Sequence, residues 1–113
     1  MESKYSSLFP DKDAFIVHAE KKARGRPFGG LELYVSKHLR ASLKSKSHHH
    51  IAVATSDSTS IIGVYYSPAL EIDDVLSDVS QALSSCPDGA NIVLGGDFNL
   101  KHGSPDFENL CAL

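Results

Sequence analysis

Asn91-Ile92-Val93-Leu94-Gly95-Gly96-Asp97-Phe98-Asn99 is the stretch on which the fold turns. Ile92 to Leu94 is a short apolar run with the residue types of a buried strand. It leads directly into two glycines, which allow close backbone approach or a bend, and then into Asp97 and Asn99. Side chains two apart on an extended segment point to the same side, so these two would stand together at the strand's C-terminal end. Asp97 brings a carboxylate, and Asn99 an amide with both donor and acceptor. Such a pair can hold a hard cation or a water next to a phosphate, because magnesium keeps several waters and needs only one or two carboxylates. An isolated Asp-x-Asn is far more often an ordinary turn, so its surroundings decide its meaning.

Upstream of this strand lies one amphipathic helix. Ile72, Val75, Leu76, Val79 and Leu83 fall along one helical face. Glu71, Asp73 and Asp74 fill the first turn, where negative charge suits the positive end of the helix dipole. Pro87-Asp88-Gly89 stops the helix. Further upstream, apolar runs predict strands over 14–18, 31–35, 51–55 and 61–66. The last two flank the short polar turn Ser56 to Ser60 and read as an antiparallel hairpin. Ser42 to His50, rich in Ser, Lys and His, reads as an exposed loop. Its three histidines, His48 to His50, cannot all face one way on a strand, so a loop entering a strand is expected there and not a metal site. The order β, β, β, β, α, β is that of a mixed α/β fold.

The chain has 113 residues, which suits a single domain, and 42% hydrophobic residues, a globular balance. No apolar stretch is long enough to span a membrane, and the polar N-terminus lacks a secretory h-region. An intracellular setting, nuclear or cytoplasmic, is the expectation. Cys86 and Cys111 fit neither a metal spacing nor a disulfide framework. The net charge of −3 hides an asymmetry: residues 1–20, 21–46 and 57–113 carry −2, +7 and −8. Two solvated surfaces are the plain reading of that split; a phosphate-binding face beside a carboxylate-rich metal site is the sharper one.

Gly96-Asp97-Phe98-Asn99 after an apolar strand resembles the signature of the endonuclease/exonuclease/phosphatase superfamily, the fold of deoxyribonuclease I. Tyr66-Ser67-Pro68 resembles the same family's Tyr-x-Pro, which ends a strand before the crossover helix. Gly25-Arg26-Pro27-Phe28-Gly29-Gly30-Leu31 and Asn99-Leu100-Lys101-His102 resemble turns of one branch, the endonuclease domain of non-LTR retrotransposons. The resemblance runs over about residues 7–106 of a single partial domain spanning 1–113 and is strongest over 61–102. It implies a partial DNase I-like sandwich of mixed and antiparallel sheets with a crossover helix. It implies metal-assisted phosphodiester hydrolysis, with Mg2+ as the Lewis acid on the phosphoryl oxygen. Asp97 would position or deprotonate the attacking water. Asn99 would orient Asp97 or the scissile phosphate, and Tyr66 would hydrogen-bond the phosphate or the leaving group. Tyr65, on the opposite face, reads as a packing residue. Arg26, Lys101 and His102 are the candidate substrate contacts, with plain surface charge as the alternative for Arg26 and Lys101. DNA and the rest of a retrotransposon polyprotein are the implied partners.

The same family places a glutamate metal ligand before the region matched here and a Ser-Asp-His motif well after Gly-Asp-Phe-Asn. Only Met1 to Ser6 precede the match, and 14 residues follow Asn99. No residue is therefore assigned as a metal ligand, and the chain is expected to be a fragment, inactive alone. A non-catalytic remnant or binding module is the alternative, as is a relative acting on another phosphate ester, such as an inositol phosphate or RNA. The basic segment 21–46 leans toward a polyanion.

Overall fold

A computed structural model describes residues 9–17 and 30–99. Arg26, Lys101, His102, Cys111 and most of the Gly25–Leu31 turn lie outside those residues. The elements are β1 (Lys12–Val17), β2 (Leu31–Ser36), a short 3-10 turn (Lys37–Leu39), β3 (Ser42–Lys46), β4 (His50–Ala54), β5 (Thr59–Tyr65), α1 (Ile72–Ser84) and β6 (Asn91–Asp97). They form a mixed α/β fold. β1 and β2 make a two-stranded antiparallel sheet. The other four strands make a sheet of order β3-β4-β5-β6, antiparallel except for the parallel pair β5–β6. Two parallel neighbours need a crossover, and α1 supplies it.

The two central strands of the four-stranded sheet, β4 and β5, are covered on both faces. Ala52, Ile62, Val64 and Tyr66 pack with Val75, Val79 and Ala82 of α1. On the other face, Ile51 and Val53 pack with Val17 and Val35 of the two-stranded sheet. Strand alternation explains the division: even-numbered residues of β4 and β5 face the helix and odd-numbered ones face the second sheet. Buried on both faces, β4 reads as a continuous apolar run.

The 51–55 and 61–66 hairpin is present as β4 and β5 in antiparallel register. Strands expected over 14–18, 31–35 and 91–94 correspond to β1, β2 and β6 with shifted ends. Ser42 to Lys46 is a correction: it is strand β3, not a loop. It lies at the sheet edge, with only Ser45 partly buried, so its polar composition is that of an edge strand carrying lysines. A bulge interrupts it, because Leu43 pairs with Val53 while Ser45 pairs with Ala52. The extra residue flips the later part of β3 and turns Ser45 to the helix-covered face.

The buried face of α1 is Val75, Asp78, Val79 and Ala82. Leu76, expected in the apolar stripe, is only partly buried, and the stripe centres on an acid. That acid has partners on the sheet.

Candidate functional site

β6 ends on Asp97, level with Tyr65 at the end of β5. Two glycines precede it, with different roles. A Cβ on Gly95 would meet nothing within 4 Å, whereas one on Gly96 would lie 2.1 Å from the Val64 carbonyl oxygen. Gly96 also has φ +135°, a conformation side chains rarely adopt. The close backbone approach expected from the Gly-Gly pair therefore belongs to Gly96 alone.

Three hydrogen bonds shape the turn beyond the strand. The Tyr66 N–H donates to the Asp97 carbonyl at 2.8 Å. The Asn99 backbone N–H donates to Asp97 Oδ1 at 3.0 Å. Asn99 Nδ2 donates to the Tyr66 carbonyl. Asn99 sits at φ 52°, in the left-handed region that Asn tolerates better than most residues. The structure thus brings Asp97, Asn99 and the backbone of Tyr66 together. Asp97 is exposed, with one carboxylate oxygen fixed by the turn.

The side chains of the two tyrosines lie opposite to expectation. Tyr65 is 36% exposed, whereas Tyr66 is wholly buried. The Tyr66 hydroxyl donates to Asp78 Oδ2 at 2.7 Å, and its ring lies against those of Phe98 and His49. To reach a phosphate it would have to leave Asp78. Tyr65 pairs laterally with Asp97, and lateral neighbours share a face, so its side chain stands on the side of the sheet that carries Asp97.

Asp78 is the centre of a buried polar cluster. His50 Nδ1 lies 2.9 Å from Asp78 Oδ2. The Ser47 hydroxyl donates to Asp78 Oδ1 at 2.6 Å and accepts from the backbone N–H groups of His49 and His50. On the other side of the ring, Ser45 Oγ lies 2.7 Å from His50 Nε2. His50 is 0% exposed, so this network ties the helix to β4 and to the edge strand and offers no open face at the ring. Burial pushes the Asp78 carboxyl up, but hydrogen bonds from His50, Ser47 and Tyr66 outweigh it and hold the pKa down at about 2. Burial, and then the bond to Asp78, raise the Tyr66 phenol above its ordinary value.

The turn brings together Asp97 and Asn99, which the sequence pattern singled out, whereas the Asp78–His50 cluster was not singled out. The available signal was an acid at i+3 from Val75, inside the apolar stripe of α1. Among the described residues, no three His, Cys, Asp or Glu side chains form a group able to hold a metal ion. None of the described helices is long and apolar enough to cross a membrane. No protein-family profile, curated protein or solved structure matches the chain.

Proposed function

We propose that the chain is part of a metal-dependent phosphodiesterase acting on DNA, similar to the endonuclease domain of non-LTR retrotransposons, and that it is inactive alone. One observation carries this reading: an exposed carboxylate, Asp97, at the end of a parallel strand, with one oxygen held by the Asn99 amide. In the proposed reaction Asp97 takes the proton of, or aligns, a water attacking phosphorus. Asn99 holds that carboxylate in place. Of the two tyrosines, Tyr65 is the one exposed beside Asp97 and better placed to donate to a phosphoryl oxygen. Tyr66 supports the turn with its backbone. The partial DNase I-like sandwich belongs to the same proposal, and it is supported by a mixed sheet with a second sheet on one face and the crossover helix on the other. Mg2+, when bound to the whole domain, would polarise the phosphoryl oxygen.

Two measurements on the purified chain test this. Supercoiled plasmid with Mg2+ is expected to stay un-nicked, and a short DNA duplex is expected to bind with an affinity that falls steeply between about 50 and about 200 mM salt. Nicking that disappears in Asp97→Ala would show that the chain is sufficient for catalysis. Duplex binding indifferent to salt would remove the nucleic-acid reading and leave a smaller phosphate ester or a non-catalytic binding role.

A further inference from the structure

We propose that Asp78 is a positioning residue for the Asp97–Asn99 turn and acts on it through Tyr66. Its meaning for catalysis rests on the phosphodiesterase reading, whereas the link itself does not.

The turn is not held by the sheet ladder. Asp97 is the last ladder residue of β6, and Tyr66 lies one residue beyond the end of β5. Two of the three bonds that shape the turn use the Tyr66 backbone: its N–H on the Asp97 carbonyl, and its carbonyl under Asn99 Nδ2. Asn99 at φ 52° keeps an unfavourable backbone conformation only while its neighbours hold it there. The place of the Asp97 carboxylate therefore depends on the place of Tyr66.

Tyr66 is fixed in turn by its side chain. It is wholly buried, its ring centroid lies 5.8 Å from that of Phe98 and 5.9 Å from that of His49, and its hydroxyl meets Asp78 at 2.7 Å. Asp78 cannot swing away, because its oxygens are also held by Ser47 and His50. From helix to turn, the path is Asp78, Tyr66, then Asn99 and Asp97, each step a hydrogen bond. Coupling carried by a contiguous chain of packed, bonded groups is the physical form such a link takes. An acid on the middle turn of a crossover helix thereby sets the orientation of a carboxylate at the end of the strand that follows.

The test uses the full chain labelled with 15N and compares Tyr66→Phe, Asp78→Asn and Ser47→Ala. Tyr66→Phe keeps the ring and removes only the hydroxyl. In Tyr66→Phe and Asp78→Asn, the backbone amide and side-chain NH2 signals of Asn99 are expected to move. The Asn99 amide should also exchange about tenfold faster, the order expected when one hydrogen bond to a charged acceptor is lost. Ladder amides of β4 and β5 should stay protected. Ser47→Ala leaves His50 and Tyr66 on Asp78, so it should move signals at residues 47–50 and shift those of 97–99 less than Tyr66→Phe does. If Tyr66→Phe leaves the Asn99 signals unmoved while the ladder is intact, the proposal is wrong. It is equally wrong if Ser47→Ala disturbs 97–99 as strongly, since the cluster would then act by general packing. Should Asp78→Asn fail to fold, Tyr66→Phe decides. Neither outcome depends on DNA binding or hydrolysis, so failure here is separable from failure of the functional proposal.

Discussion

Asp78 keeps a charge at 9% exposure, which is stable only because its oxygens are fully engaged. Its folded pKa, about 2, lies below the ordinary value of 3.8. The unfolded chain therefore binds the proton more readily, and the group's contribution is present above pH ~4 and lost as pH falls toward ~2. That contribution is about 2 kcal/mol. Urea unfolding of the wild type and Asp78→Asn should show a stability gap at pH 6 that narrows steadily as pH falls toward 2; a gap independent of pH would contradict the assignment. The tyrosines make a sharper pair. Tyr66→Phe removes a buried bond to a carboxylate and is expected to cost about 1.5–3 kcal/mol. Tyr65→Phe alters an exposed hydroxyl and should stay within about 0.5 kcal/mol. The sequence made Tyr66 and Tyr65 distinguishable only as opposite faces of one strand. Which face α1 covers is a tertiary fact: it buries Tyr66 and leaves Tyr65 partly exposed. Asp97 was legible as the last residue of an apolar strand, whereas the place of Asn99, at φ 52° and bonded to the Tyr66 carbonyl, is set by a contact 33 residues away and not by extended alternation.

Among the elements, the ones that were legible are those whose own pattern carries a period. β4, β5 and α1 bury an apolar face and announce it; β3 does not. Its pattern is Ser-Leu-Lys-Ser-Lys, and Leu43 is 48% exposed, so nothing local separates it from a loop. Its bulge, which turns Ser45 toward His50, leaves no mark on composition either. β6 was legible for the opposite reason, being apolar, yet the described structure leaves it uncovered: Ile92 is 47% and Val93 55% exposed. Among the described residues β6 is an edge strand, and an edge with no lysine or proline to blunt it is prone to pairing. Val93→Lys is therefore expected to reduce light scattering by concentrated protein without lowering the unfolding midpoint. A lowered midpoint would mean that Val93 is covered in solution. The glycines of β6 give a second contrast. Gly96→Ala forces a Cβ into the Val64 carbonyl and is expected to cost at least about 2 kcal/mol, by urea unfolding. Gly95→Ala meets open space and should change stability by less than about 1 kcal/mol.

At the scale of the whole molecule, the described bases around β3 and the Asp97 turn lie on opposite margins of the four-stranded sheet. β6 with Asp97 is at one edge and β3 at the other, three strand spacings or about 14 Å apart. Lys44 and Lys46 on β3, with Lys37 and Arg40 just before it, are exposed, and no acid falls between residues 37 and 56. That separation is smaller than the ~20 Å length of about six base pairs of duplex, given one phosphate charge per ~1.7 Å of helix axis, so one DNA segment could touch both margins. The lysines also blunt the β3 edge, a role that requires no ligand at all, and affinity measurements separate the two. If they contact phosphate, Lys44→Gln/Lys46→Gln should weaken duplex binding for every sequence alike and lower the slope of log affinity against log salt by about two. Asp97→Asn, which removes a negative charge, should not weaken binding. An unchanged salt slope in the double variant, with its fold intact, would assign the lysines to edge protection and not to phosphate contact.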